Sequence, residues 1–113
     1  MARKAYTRQL FSGTAGATGN TQSTPIPCKT EQEGVFYLKI TAATGSSPTL
    51  DLVIQTYNPM TETWHTLATF DQKTTTGQDE GFVQYGLGEK IACIYTIGGT
   101  TPSFTFTVDV TLK

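Results

Sequence analysis

Few side chains in this chain are of the types that perform catalysis, and the first candidate is its one histidine, His65. A Ser-His-Asp or Cys-His arrangement would have to use it as the general base. His65 lies inside the alternating run TWHTLATF, on the face opposite Trp64. A histidine in such a strand is most often exposed or paired with a neighbour, so we predict no catalytic role for it.

The acidic side chains do not form a recognisable catalytic pair. They occur as sequence neighbours, in Asp79-Glu80 and in Glu31-Gln32-Glu33, and neighbours on a strand point to opposite faces. The two carboxylates of a glycosidase must instead face each other across the substrate. We therefore predict that the protein is not an enzyme and has no catalytic residues.

Neither a metal site nor a phosphate site is indicated. Cys28 and Cys93 are far apart and lack the CxxC spacing of metal and redox sites, so we interpret them as two free thiols. The glycine-rich segments 13–16 and 86–88 lack the lysine of a phosphate-binding loop. We expect no metal, no cofactor and no small-molecule substrate.

The composition points to one small β domain. The chain has 113 residues, of which only 15% are charged. It contains 23 threonines, whose stiff β-branched side chains suit a pleated sheet. We predict an all-β fold, namely an antiparallel β-sandwich or barrel-like domain of about six to eight strands with an extended N-terminal arm.

Alternation of apolar and polar residues identifies the strands. The run SFTFTVDVTLK alternates most cleanly, and VFYLKITA and TLDLVIQTY follow the same pattern. The residues predicted to face the core from these runs are Phe36, Leu38, Ile40, Ala42, Leu50, Leu52, Ile54, Phe104, Phe106, Val108, Val110 and Leu112.

The run EKIACIYTIG is apolar on both faces, so it should lie either inside a sandwich or at a subunit contact. We take two residues of this run, Cys93 and Tyr95, and two residues of TLDLVIQTY, Val53 and Tyr57, as candidate oligomer contacts.

Two segments of the chain repeat one pattern at an offset of 54 residues. GSSPTLDL at 45–52 and GTTPSFTF at 99–106 share glycine, two hydroxyl residues, proline, and then alternating character. Glycine permits unusual turn angles, and hydroxyl groups can bond turn amides. We therefore predict a β-hairpin at each copy.

The first 30 residues differ from the rest. Residues 1–30 hold four basic and no acidic side chains, for a charge of +4, whereas residues 31–113 carry −5. The polar run SGTAGATGNTQST has little to bury, so we predict an extended basic arm at 1–30 and a β-sandwich body at 31–113. Within the arm, Ala5 to Phe11 has enough apolar surface to form a short strand or an anchor.

The arm is expected to dock on a neighbouring subunit or an acidic protein surface. Three basic residues near the N-terminus make a thin footprint for nucleic acid, and phosphates would be repelled by the acidic body, so nucleic acid is not the expected partner. No apolar run approaches the ~20 residues that cross a bilayer, and no secretory h-region is seen. We expect synthesis in a cytoplasm and no membrane partner.

The body resembles a known group of proteins. The segments that carry the resemblance are TGSSPTLDLVIQ, the strand pair NPMTETWHTLATF and the closing IYTIGGTTPSFTFTVDVTLK. Through them the body resembles small β-rich virion proteins of tailed bacteriophages, most of all head decoration (capsid cementing) proteins. The resemblance spans roughly residues 35–113.

The resemblance implies a structural protein on the outer surface of the phage head, bound to the major capsid protein, often as a homotrimer. It also implies that the N-terminal arm makes the capsid contact. The residues of that arm that we expect to bind the partner are Arg3, Lys4, Tyr6, Arg8, Leu10 and Phe11.

Two alternatives stay open. One is a tail or head-tail connector protein, which is also structural. The other is a carbohydrate-binding module, because Trp64 with Tyr57, Tyr85 and Tyr95 could supply aromatic platforms for sugars.

Overall fold

A computed structural model describes residues 5–28 and 30–113. The strands of this part of the chain are β1 (Tyr6–Ala15), β2 (Gly19–Asn20), β3 (Ile26–Pro27), β4 (Glu33–Asn58), β5 (Thr63–Thr69), β6 (Glu80–Tyr85) and β7 (Lys90–Leu112). All of them pair antiparallel, in the order β1-β7-β4-β5, with β6 on β4 and with β2 and β3 on β7. The predicted all-β antiparallel class is confirmed, and the seven strands fall within the predicted range.

Strands β4 and β7 are long because each passes through both layers of the sandwich. Residues 34–44 pair with 103–112, and residues 49–56 pair with 91–98. We call the first pair, flanked by β1 and β6, the first layer. The second pair, flanked by β2, β3 and β5, is the second layer.

The two repeated segments are bends, not hairpins, so that prediction is wrong. Each long strand continues through its copy, and the two copies lie against each other, with Ser46 paired to Thr100. Their backbones match: φ is 111° at Gly45 and 112° at Gly99. Because each copy meets the other, the 54-residue offset corresponds to a local two-fold axis between the bends.

Glycine is required at both bends because backbone from the other strand passes directly over it. A Cβ at Gly45 would lie 2.8 Å from the Thr101 carbonyl oxygen, and a Cβ at Gly99 would lie 2.7 Å from that of Ser47. These positive φ angles are also rare for any residue with a side chain. The bends therefore let both strands turn together from one layer to the other.

The core lies between the layers and follows the predicted alternation. Apart from Ala42, which is half-buried, every residue predicted to face inward from the three alternating runs is at most 2% exposed. Phe106 links the layers, because its ring lies 4.5 Å from Phe11 in β1 and 5.6 Å from Tyr95, measured between centroids. The inward prediction for these runs is confirmed.

The structure corrects the predicted boundary at residue 30. Instead of standing apart from the body, Tyr6–Ala15 pairs with 104–112 along its whole length, and Ile26 pairs with Ile91. The segment looks polar because only one face of β1 meets the core, while the other carries threonines that pair across strands. Thr7 and Thr14 each share a hydroxyl hydrogen bond with a threonine of β7, at 2.9 and 2.8 Å.

The polar segment 71–79, which connects β5 to β6, is anchored at one position. Lys73 is only 6% exposed and exchanges both backbone hydrogen bonds with Leu50 in the second layer. Its ammonium forms an ion pair with the Glu80 carboxylate of β6 in the first layer. This lysine therefore ties the two layers together at the β6 side.

Candidate binding surfaces

Strand β1 forms one open edge of the first layer. Among the described residues it pairs on one side only, with β7. Lys113 and Glu33 exchange both backbone hydrogen bonds, at 3.0 and 3.2 Å. Because bonded pairs alternate along antiparallel strands, the N–H and C=O groups of Thr7, Gln9 and Ser12 point away from β7.

The outer side chains of this edge are polar and already held in place. Gln9 donates a 2.9 Å hydrogen bond to the Asp109 carboxylate, in addition to the two threonine pairs. The residues Tyr6 to Gln9 are all exposed. The β1 edge therefore offers a fixed, ordered row of backbone donors and acceptors.

The arm residues predicted to bind a partner are placed differently from one another. Leu10 is 6% exposed and belongs to the core, and the Phe11 ring packs on Phe106, so both are corrected from partner contacts to core residues. The burial follows from a bulge between Gln9 and Phe11, which lets β1 turn both apolar side chains inward.

Tyr6 and Arg8 stay accessible at the end of this strand. The Tyr6 hydroxyl donates a hydrogen bond to the Glu31 carboxylate, and that bond raises the pKa of the phenol. Arg3 and Lys4 lie outside the described residues.

An aromatic group lies on the outer face of the second layer. Tyr57 in β4 faces Trp64 in β5, with ring centroids 5.1 Å apart. The Lys90 ammonium lies 4.2 Å from the Tyr57 centroid and 5.9 Å from that of Trp64. All three residues are half-buried, and we call them the Trp64 cluster.

The predicted oligomer contacts divide between the two faces of the second layer. Cys93 is fully buried and the Tyr95 ring packs against Phe11 and Phe106, so both are corrected to core residues. They point inward because they follow the same alternation as Ile91. Val53 and Tyr57 are half-buried residues of β4.

His65 and the cysteines occupy ordinary structural positions. His65 is exposed, and its Nε2 lies 2.8 Å from the Thr63 hydroxyl. Both thiols are free and buried, and burial raises the pKa of Cys28 and of Cys93 to about 11. A thiol with so high a pKa is a poor nucleophile at neutral pH.

Neither a metal cluster nor a membrane-spanning helix occurs within residues 5–28 and 30–113. No three His, Cys, Asp or Glu side chains in these ranges come together as a metal site would require. Nor do these ranges contain a helix of the length and apolar character that spanning a bilayer requires.

A third surface, along β6, was missed from the sequence. Val83 and Tyr85 in β6 are 49% and 67% exposed, and Tyr37 beside them in β4 is 44% exposed. Alternation of apolar and polar residues can identify a strand, but it does not show whether that strand has a neighbour on its outer side.

Comparison with known proteins identifies the fold and nothing finer. No protein-family model matches the chain, and no curated protein sequence matches it. The chain is similar to the CBM22-1–GH10 modules of the Clostridium thermocellum N-terminal endo-1,4-β-D-xylanase 10B, complexed with xylohexaose, with 10% identity and a TM-score of 0.52. The alignment covers 93% of this chain and 28% of that chain.

A second solved structure, the Yersinia pseudotuberculosis-derived mitogen, aligns over 97% of this chain and 85% of its own length. The identity is 13% and the TM-score is 0.39, too low to support an argument. At such identities the similarity to the xylanase modules shows the β-sandwich fold alone.

Proposed function

We propose that this chain is a structural, non-enzymatic virion protein that coats the outer surface of a phage head and binds the major capsid protein through the β1 edge. The observation that carries the proposal is the open edge of β1, a ten-residue strand with backbone groups directed outward. Proteins usually shield such long edges. A capsid strand added to this edge would satisfy those groups.

Charge and side-chain chemistry support the same partner. Arg8 lies exposed at this edge and could pair with an acidic capsid side chain. The side chains of Thr7, Gln9 and Thr14 on the outer face of this edge are hydroxyls and an amide, which permit strand addition without requiring an apolar groove. The resemblance of the sequence to head decoration proteins points to the same location.

The test compares Ser12→Pro with Ser12→Ala in binding to empty heads of the phage that encodes the chain. Proline removes an N–H that points outward, so the internal ladder is retained while strand addition is blocked. We expect Ser12→Pro to lose most head binding and Ser12→Ala to bind like the unchanged protein. Equal binding by a folded Ser12→Pro variant would reject this docking mode.

A second candidate function, carbohydrate binding, is favoured by the Trp64 cluster. Aromatic rings on a sheet can stack on sugars, and Lys90 supplies a hydrogen-bond donor beside them. Fold similarity to modules complexed with xylohexaose motivates the choice of xylo-oligosaccharides as the first probe. Glycan-array binding that is lost in Trp64→Ala and kept in Trp64→Phe would favour this function, and no binding by the unchanged protein would reject it.

A further inference from the structure

The apolar surface along β6 lies on a second open edge of the first layer. Among the described residues β6 pairs only with β4. Val83 and Tyr85 project from the outer face of this strand, and Tyr37 lies beside Gly81 in the neighbouring strand. Contiguous patches of exposed apolar side chains can mark protein–protein interaction sites.

The register of β4 and β6 shows which backbone groups point outward. The Gly86 N–H donates a 2.8 Å hydrogen bond to the Gln32 carbonyl. Because bonded and non-bonded pairs alternate, Gln84 and Phe82 face β4, whereas Gly81, Val83 and Tyr85 direct their N–H and C=O groups outward. The Tyr85 carbonyl also accepts a 3.3 Å hydrogen bond from Gln84 Nε2. The exposed side chains of Val83 and Tyr85 therefore belong to residues whose backbone groups point outward.

We propose that a second copy of this chain pairs antiparallel with β6, about a two-fold axis at Val83. Val83 then faces Val83 of the partner subunit, and Gly81 faces Tyr85 of the partner subunit. The outward N–H and C=O groups of one copy meet those of the other. The first layers of the two copies join into one continuous sheet.

This register is self-complementary in shape. Gly81 leaves a gap on the outer face, which the Tyr37 ring covers from one side: a Cβ at Gly81 would lie 3.2 Å from Tyr37 Cδ1. In the dimer Tyr85 of the partner subunit covers the same gap from the other side. The middle row becomes four valines, since Val35 pairs with Val83 within each copy.

The same register brings no like charges together. Residues 81–85 read GFVQY and carry no charge. The Glu80 carboxylate at the start of β6 is already paired with Lys73 inside the chain. A β1–β1 pairing has no comparable fit, because the open side of β1 carries hydroxyl and amide side chains and offers no apolar row.

Analytical ultracentrifugation over a concentration series tests the proposal on the full chain. The unchanged protein should approach twice its 12.2 kDa mass as concentration rises. Val83→Pro should remain a monomer, because proline removes the central outward N–H and its ring blocks the approach of the second strand. Val83→Thr, which keeps the backbone and the branched shape, should still dimerise. Far-UV circular dichroism shows whether each variant is folded.

A charge exchange gives a test that does not depend on proline. Val83→Lys alone and Val83→Glu alone should each be monomeric, because like charges would face each other across the axis. Mixed in equal amounts at low salt, they should form a heterodimer. A generic surface effect would not produce this recovery.

Several results would overturn the proposal. These are a protein that stays monomeric at every concentration, a trimer, a dimer that Val83→Pro leaves intact, or a mixture of the two charge variants that stays monomeric. Head binding is measured separately at the β1 edge. Failure of one proposal therefore leaves the other standing.

Discussion

The two layers have the same kind of central strand pair and differ in the strands at their edges. In each layer the centre is an antiparallel pair formed from β4 and β7, and the local two-fold axis at the bends relates one pair to the other. The first layer is flanked by the ten-residue β1 and the six-residue β6. The second is flanked by the seven-residue β5 on one side and by the two-residue β2 and β3 on the other.

This difference indicates where the molecule can bind partners. The centre is fixed by a common requirement, which is to bury one face of each strand and to turn together at the bends. The edges face no such requirement, and the two edges of the first layer differ in the polarity of their exposed side chains. Strand β1 is polar and fastened by side-chain pairs, whereas β6 exposes Val83 and Tyr85.

The largest loss of stability is expected at the two bends, whose glycines have matching surroundings. Gly45→Ala and Gly99→Ala should each lower the free energy of unfolding by at least about 3 kcal/mol, because each combines a disfavoured φ with a clash against backbone. Equivalent surroundings predict equal losses, measured by urea denaturation. Gly77→Ala is the control: its φ is 84°, but a Cβ added there would meet no atom within 4 Å, so the substitution should cost about 1–2 kcal/mol. Clearly unequal losses at the two bends would contradict the two-fold relation.

The core was predictable because alternation is a local property. Phe104 to Leu112 could be assigned inward from the sequence, since every second residue of a strand faces the same side. The glycine, hydroxyl and proline pattern also marked the right places for a change of direction. What each strand pairs with is set by residues far along the chain, and turn chemistry does not report it.

The bends and the first strand show this limit in particular residues. Gly45 was expected to fold its strand back on itself, but the partner of that strand is β7, more than forty residues away. The polar composition of residues 12–24 suggested an extended arm at 1–30, yet a strand with a single buried face needs few apolar residues. Leu10 and Phe11 supply two of them at the bulge of β1.

Binding surfaces were the least predictable part. The sequence identified Tyr57 and Trp64 as aromatic candidates, and the structure brings them together with Lys90. The sequence did not identify the exposed surface along β6, because exposure on the outer side of a strand depends on whether another strand lies beside it. That neighbour, or its absence, is a property of the whole topology.

A smaller effect is expected where Lys73 connects the layers. Lys73→Ala should lower the free energy of unfolding by about 1–3 kcal/mol, because it leaves the partly buried Glu80 carboxylate without its cation. Hydrogen exchange should rise more in β6 than in β1, which is fastened separately. Lys39→Ala, at an exposed lysine of β4, is the control and should change stability by less than about 0.5 kcal/mol. Equal exchange increases in both edge strands would show that Lys73 does not act on β6 specifically.

The smallest effect is expected in the alkylation rates of the two cysteines. One lies at an edge of the second layer and the other lies at its centre. Cys28 follows the short edge strand β3, whereas Cys93 lies in the central strand β7. Since edges open more readily than centres, alkylation of the folded protein should modify Cys28 first, as peptide mass mapping would show. Equal rates would argue against this ranking.

Alkaline pH should weaken the fold through the same two thiols. Burial raises the pKa of each to about 11, above the ordinary value of 9.0, so the unfolded chain releases these protons first. Their contribution to stability is complete below pH 9 and is lost as pH rises through 11. In urea denaturation at pH 8 to 11, a variant carrying Cys28→Ala and Cys93→Ala should therefore lose stability less steeply than the unchanged protein. Parallel pH profiles would show that the thiols do not contribute.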